Sequence, residues 1–354
     1  MKRFILLIIV LLIPINAWAI QTSASTAILM DMDSGRILYE KNKDEQRLVA
    51  SITKIMTAVL AIENASLEEE VTVGEEILSM YGSNIYIEVG EKIKLRDLLY
   101  GLLLRSGNDA AIVIANYIGK NEENFVKMMN EKAKKIGMKN TIYKNSHGLD
   151  EITQNYSSSY DMALLSSYAN SLKEYRKISN TKKRIVKTKD KTYIWNNRNK
   201  LLNRYKYATG GKTGYTPSAG RTLVTTASKN NLNLTAVTLN DGNEYIDHEA
   251  LYEYGFNNYQ KYLIIDKNNF YIDKNLYKDK VYVKNSFSYP LRKNEKDKIR
   301  VIAKITNLNN YKNNDQVGDI TVTLDDEILY KEPIYVSLNK KNNWLDKIKS
   351  LFKR

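Results

Sequence analysis

The sequence predicts an α/β chain of the α+β type: an antiparallel sheet flanked by helices, then a small all-β domain, then an amphipathic C-terminal helix. Three observations predict it. β-like runs open at Thr26 and close at Leu239, with helical periodicity between them, so the two ends are expected to meet in one sheet. Beyond about Tyr262 short β-like runs alternate with Asn, Asp and Lys turns. In the last stretch Trp344, Leu345, Ile348, Leu351 and Phe352 fall at helical spacing, with Lys and Arg between them. A length of 354 residues also exceeds what one core usually holds, which favours two domains.

Taken in order, Lys2 and Arg3, the apolar run 4–13 and Ala17-Trp18-Ala19 read as a secretory signal over 1–19, cleaved after Ala19. The competing reading, an uncleaved anchor, meets an apolar run that is short for a bilayer span. Residues 26–41 read as a hairpin turning at Asp33-Ser34-Gly35. Ile52, Ile55, Met56, Val59 and Leu60 predict a helix over 52–64. Tyr81-Gly82-Ser83-Asn84 reads as a loop. Two apolar helices, 95–104 and 109–118, are separated by Arg105-Ser106-Gly107-Asn108, where Gly107 is expected to break the helix and expose its polar neighbours. An amphipathic helix over 122–136 ends at Gly137, and 160–170 is a further helix. A lysine-rich, exposed segment precedes Trp195. Residues 210–214 lead through 217–220 into strands over 221–227 and 232–239. The catalytic-sized region is thus expected over 20–260, a β-rich domain over 261–340 (strands at 281–283, 299–305, 320–324 and 334–336), and a membrane-interface helix over 341–354.

Composition narrows the chemistry. There is no cysteine, so disulfides, thiol nucleophiles and cysteine metal sites are out. With only His147 and His248, neither a histidine metal centre nor a Ser-His-Asp triad is favoured, and no cofactor is expected. The net charge of +14 does not point to nucleic acid, because the lysines are scattered and the chain reads as exported. Anionic lipid headgroups or wall polymers suit that compartment better.

The chemically loaded stretch is Ser51-Ile52-Thr53-Lys54. One helical turn separates the hydroxyl from the amine, so Lys54 can reach Ser51 and serve as its base if burial or nearby cations lower its pKa. The spacing alone is weak. It gains force from Ser106-Gly107-Asn108 about 50 residues on and Lys212-Thr213-Gly214 about 100 beyond that.

With these motifs, and with 100–111, His147-Gly148-Leu149-Asp150, Tyr156-Ser157, Asp161-Met162-Ala163 and 212–216, the chain resembles the D-alanyl-D-alanine carboxypeptidases among low-molecular-mass penicillin-binding proteins, peptidase family S11. The likeness covers about 26–256, and a β domain with an amphipathic tail is the family's usual C-terminal arrangement. It implies a β-lactamase/transpeptidase-like fold and a peptidoglycan stem pentapeptide as substrate, with β-lactams as covalent inhibitors. Ser51 would attack the D-Ala–D-Ala carbonyl with Lys54 as proton acceptor. Ser106 would pass a proton to the leaving amine, and Asn108 would hold Lys54 and the substrate amide. Lys212 would add positive potential, Thr213 would bind the terminal carboxylate, and the N–H groups of Ser51 and Tyr215, beside Gly214, would form the oxyanion hole. Arg198 is a further candidate for the carboxylate, His147 for shaping or lining the site, and Gly82 and Ser83 for a loop near the acyl pocket. Many relatives have histidine at Tyr215. A serine β-lactamase and a catalytically silent wall-binding module are the rivals: the first lacks its E-x-x-L-N string here, and the second would not need every polar motif residue.

Overall fold

The structure, a computed structural model, describes residues 20–338 apart from 190, 274–276 and 307–310. The expected signal segment 1–19 and terminal helix 341–354 lie outside the described residues.

The chain opens with the expected hairpin, β1 (Thr26–Asp31) and β2 (Ile37–Lys41). Asp31 Oδ2 accepts from the Ser34 backbone N–H at 2.9 Å and from its hydroxyl at 2.6 Å, which fixes the turn. Late in sequence come β3 (Ala208–Thr216), β4 (Gly220–Lys229) and β5 (Leu232–Leu239). They complete an antiparallel sheet in the order β2-β1-β5-β4-β3, with Ile28 opposite Val237 at the seam between the chain's two ends. Residues 210–214, expected only to lead into strands, form the edge strand β3 itself.

Every residue of β1 is buried, because helices cover both faces. Alternate side chains go to opposite sides: Ile28 and Met30 join one core cluster, while Leu29 joins another. The first cluster packs against α1 (Lys54–Asn64), α2 (Leu95–Tyr100), α3 (Asn108–Gly119), α4 (Glu122–Ile136), α5 (Ser159–Ser171) and α6 (Lys173–Ser179). The second packs against the single turn α7 (Leu201–Arg204) and α8 (Glu244–Asn258). α4 keeps its expected bounds, since the Asn121 side chain caps the Asn124 N–H and Gly137 takes the left-handed conformation at φ 90°. The lysine-rich segment before Trp195 is a two-stranded ribbon, Lys183–Lys187 against Thr192–Asn196, whose Val186, Tyr193 and Trp195 are buried while its lysines face out.

From Gln260 a separate β unit follows. β6 (Gln260–Ile265) pairs with β8 (Phe287–Leu291), while β7 (Lys280–Tyr282), β9 (Ile299–Ile305), β10 (Gln316–Leu324) and β11 (Glu327–Ser337) form a sheet in the order β7-β11-β10-β9. Val281, Val317, Val322, Ile334 and Val336 give it a core of its own. Among the described residues no helix is long and apolar enough to cross a membrane.

Candidate active site

Ser51 lies in a 3-10 turn, Ala50–Thr53, that runs into α1, so the helix expected from Ile52 opens with a tighter turn. Two glycines press on that turn. Gly148 has φ +86°, and a Cβ there would stand 2.0 Å from the Ala50 carbonyl oxygen. On the other side a Cβ at Gly214 would meet the Ser51 nitrogen at 2.9 Å and the Ile52 nitrogen at 3.1 Å. Only bare backbone lets the 147–150 loop and the edge strand β3 approach Ser51 so closely. Thr216 Oγ1 donates to Asp150 Oδ2 at 2.6 Å and joins the two clamping segments.

Lys54 is fully buried beneath the serine. Its Nζ is 3.0 Å from Ser51 Oγ, 2.7 Å from Asn108 Oδ1 and 2.5 Å from the His147 carbonyl oxygen. Burial first, then the positive charges of Lys212 and Arg198, lower its pKa well below the usual lysine value; Asp109 opposes them. A neutral amine has two N–H bonds and one lone pair. The two carbonyl acceptors take both hydrogens, which leaves the lone pair for the Ser51 hydroxyl. The arrangement can therefore remove the serine proton.

Ser106 and Asn108 come from the break between the helical run ending at Arg105 and α3. Gly107 is unremarkable there, at φ −58°; the left-handed residue is Ser106, at φ 65°. The expectation that the glycine would expose its neighbours is corrected too: Ser106 and Asn108 are 3% and 2% exposed. Both side chains point into a protein-lined site. Asn108 Nδ2 donates to the Tyr81 carbonyl at 2.6 Å and its N–H to the Ser83 carbonyl at 2.7 Å. Lys212 Nζ reaches Ser106 Oγ at 3.0 Å, so two lysine–serine pairs face one another. Burial, then Arg198, brings the Lys212 pKa down to about 7.

These groups open on a cleft of about 210 Å³ lined by Ser51, Ser83, Ser106, Arg198, Thr213 and Tyr215, with Arg221, Glu244 and Tyr245 at its far side. Arg198 donates to Ser83 Oγ at 2.7 Å, and its carbonyl accepts from Tyr245 at 3.2 Å. Tyr215 stands 64% exposed at the rim. Gly82, at φ +76°, backs onto Asn108 Nδ2, 3.4 Å from where its Cβ would be, behind the cleft wall. His147 is brought in by its carbonyl rather than its ring: Nδ1 accepts from the Leu149 N–H at 3.1 Å, and burial, helped by Lys54, lowers the ring pKa to about 3. His248 is remote and buried between Thr225 and Thr238. Sequence reading quoted Asp109 within 100–111 but gave it no role; its carboxylate accepts from the Ile85, Tyr86 and Ala110 N–H groups and ties the 81–87 loop to the start of α3. Sequence reading missed Tyr245, Arg221 and Glu244, which carry no motif.

A family model described as D-alanyl-D-alanine carboxypeptidase matches residues 14–243. The chain belongs to that family. A second model, the C-terminal domain of penicillin-binding protein 5, matches residues 259–341, which is the β unit. Within the family, the chain is 39% identical over 220 residues to D-alanyl-D-alanine carboxypeptidase DacF of Bacillus subtilis, covering 60% of this chain and 56% of that one. It is 34% identical over 249 residues to DacC of Escherichia coli, covering 65% and 60%. The match thus spans less than two thirds of these relatives' own length. Penicillin binding protein 5 from Haemophilus influenzae superimposes with a TM-score of 0.75 at 26% identity, over 90% of this chain and 97% of that one. Penicillin binding protein 6B from Escherichia coli gives 0.72 at 27%, with the same coverage.

Proposed function

We propose that this chain is a serine-type D-Ala-D-Ala carboxypeptidase that removes the terminal D-alanine from peptidoglycan stem pentapeptides, and that β-lactams acylate the same serine. One observation carries the reading: Lys54 is buried, its pKa is lowered, and both its N–H bonds have carbonyl acceptors beside the Ser51 hydroxyl.

In this reaction Ser51 Oγ attacks the carbonyl carbon of the D-Ala–D-Ala bond and its proton passes to Lys54. The oxyanion sits against the N–H groups of Ser51 and Tyr215, an interaction often worth about 3–4 kcal/mol per donor in such sites. Thr213, with Arg198, takes the terminal carboxylate, and Lys212 supports it with positive potential. The C–N bond breaks as the leaving amine receives a proton by way of Ser106, and D-alanine departs. Water then adds to the acyl-enzyme with Lys54 again accepting a proton, which regenerates Ser51. Asn108 fixes Lys54 throughout, while Gly82, Ser83 and the His147 loop shape the walls.

The family matches over 14–243 and 259–341 support a peptidase domain over 20–260 and a β domain over 261–340; the reading adds, from the sequence pattern, a signal over 1–19 and a membrane-surface helix over 341–354, which would place the enzyme in the cell-wall space. The test is intact mass after mixing with penicillin, beside D-alanine release from a soluble pentapeptide. A lasting penicilloyl adduct together with D-alanine release is expected, both lost in Ser51→Ala and both reduced by about 10²–10⁴-fold in Lys54→Arg, whose side chain stays charged. Rapid penicillin turnover without an adduct would instead mark a β-lactamase, and inertness toward both compounds a silent wall-binding module.

A further inference from the structure

Besides Arg198, a second arginine lines the cleft at Ser51, and the sheet register shows which way it points. Lys212 reaches Ser106, and a Cβ on Gly214 would meet the Ser51 nitrogen, so alternation sends Thr213 and Tyr215 to the opposite face of β3. In β4, Arg221 is the direct partner of Tyr215 and Leu223 that of Thr213, which puts Arg221 on the face of Thr213. Thr222, between them in sequence, fits this alternation: its hydroxyl donates to the Val49 carbonyl on the serine side at 3.0 Å. Arg221 and Thr213 are thus diagonal neighbours, about 7–8 Å apart along the backbone, a gap that a long side chain crosses.

What holds Arg221 leaves most of its guanidinium available. Nε lies 3.6 Å from Glu244 Oε1, an ion pair too long for a hydrogen bond, and among the described residues no acceptor meets the two terminal nitrogens. The Glu244 side chain is 17% exposed in the first turn of α8, whereas that of Arg221 is 56% exposed and has room to swing. Glu244 is also the only carboxylate among the residues lining the cleft, against two arginines, so one more negative charge would balance it. Tyr245 links the two cations: its hydroxyl donates to the Arg198 carbonyl at 3.2 Å and lies within range of the Arg221 charge. We propose that Arg221 is a specificity-determining residue that takes the substrate's terminal carboxylate through the open edge of its guanidinium while Glu244 aims the Nε edge. The inference rests on the carboxypeptidase reading, in which Thr213 meets that carboxylate. A guanidinium carries five donors on more than one edge, so a single arginine serves both carboxylates. A chain that continues as an amide brings no such charge and leaves the second arginine unbalanced, so the cleft selects chains that end at the second D-alanine.

The test compares acylation by penicillin with acylation by penicillin methyl ester, which lacks the free carboxylate, in the full chain and in its Arg221→Gln and Arg221→Lys variants. Intact mass follows both reactions, and D-alanine release from a soluble pentapeptide is measured beside them. In Arg221→Gln the acylation rate constant for the free acid should fall by about tenfold, the size expected of one lost charge-assisted hydrogen bond, while that for the ester falls by less than about twofold. The pentapeptide KM should rise by a similar factor with kcat nearly kept, as for a contact made equally in the bound substrate and the transition state. Arg221→Lys keeps the charge without the fork and should recover part of the loss. The ester is the folding control, because a disordered cleft would slow both reactions. An equal loss on acid and ester would overturn the inference and mark a structural role, and no loss on either would overturn it too. Wild-type D-alanine release judges the carboxypeptidase reading by itself, whereas the acid-to-ester ratio judges Arg221.

Discussion

At the residue scale two buried lysines serve different ends, and their surroundings explain why. For Lys54, burial first and then the charges of Lys212 and Arg198 act together against protonation and lower its pKa well below the usual lysine value. For Lys212, burial and then Arg198 bring the pKa down to about 7, and its Nζ lies 3.0 Å from Ser106 Oγ and 2.5 Å from the Thr213 carbonyl oxygen. If Lys212 supplies positive potential for the substrate carboxylate, as proposed, a pKa brought down to about 7 should give it its own limb on the pH profile. The sign follows from its charge: the cation is present below the pKa and lost above it. For penicillin acylation measured as kcat/KM, activity is expected to fall as pH rises through about 7 to 8, and in Lys212→Arg that fall should move far to the alkaline side because guanidinium does not deprotonate there. An unmoved alkaline limb in the Arg variant would assign it to another group.

At the element scale the site is a meeting of three segments, and the meeting depends on backbone approach as much as on polar side chains. Gly148 shows the cost. Its φ of +86° is strained for any other residue, and a Cβ would run into the Ala50 carbonyl at 2.0 Å. Gly148→Ala should destabilise the domain by about 3 kcal/mol, a fall in melting midpoint of roughly 6–12 °C for a domain of this size, and penicillin acylation should drop at temperatures where the protein is still folded. Thermal denaturation followed by an acylation assay checks both. This dependence also marks what could be read in advance. Ser51, Lys54, Ser106, Asn108 and Lys212 were legible because their types and spacing carry chemistry, and the outer hairpin and α4 because turn residues and periodicity were local. The left-handed residue of the 105–108 break was not legible. Glycine is the default for that conformation, but the chain keeps Gly107 at negative φ and turns Ser106 instead, aiming its hydroxyl at Lys212. β3 was missed for a related reason: Gly210, Gly211 and Gly214 look like loop residues, yet each is there to let another segment come close. Asp109 and Asp150 stood inside quoted stretches without a role, because the partners that give them one, the Ile85 and Tyr86 N–H groups and the Thr216 hydroxyl, are distant in sequence.

For the whole molecule, the question is how the β unit is held to the peptidase domain. Arg36, in the turn between β1 and β2, answers it. Its guanidinium donates to Glu295 at 2.7 and 2.9 Å and to the Pro290 carbonyl at 2.6 Å, while its plane lies 5.2 Å from the Tyr259 ring and 5.1 Å from the Tyr289 ring. Arg292 bonds the Tyr259 hydroxyl at 2.8 Å, so that ring is held by arginines of both units. The Arg36 and Glu295 side chains are only 14% and 16% exposed, too little for water to replace the lost partner in full. Arg36→Ala leaves the Glu295 carboxylate facing a vacated slot, and for a partly shielded pair of this kind the cost is about 2 kcal/mol, below the roughly 3–5 kcal/mol of breaking a fully buried pair. Because none of these groups touches the cleft, acylation by penicillin and D-alanine release from a soluble pentapeptide should be unchanged. The hinge itself should open more often: limited proteolysis at the junction around Tyr259 is expected to speed up by about 30-fold, the factor that 2 kcal/mol gives when cleavage follows the population of the open form. A rigid junction also fixes the direction in which the cleft faces relative to the β unit, so release of D-alanine from insoluble peptidoglycan should slow in the same variant. Equal proteolysis rates in both proteins would show instead that the two units are held by their remaining contacts, the Asp33–Lys261 pair and the Tyr259 packing, without help from Arg36.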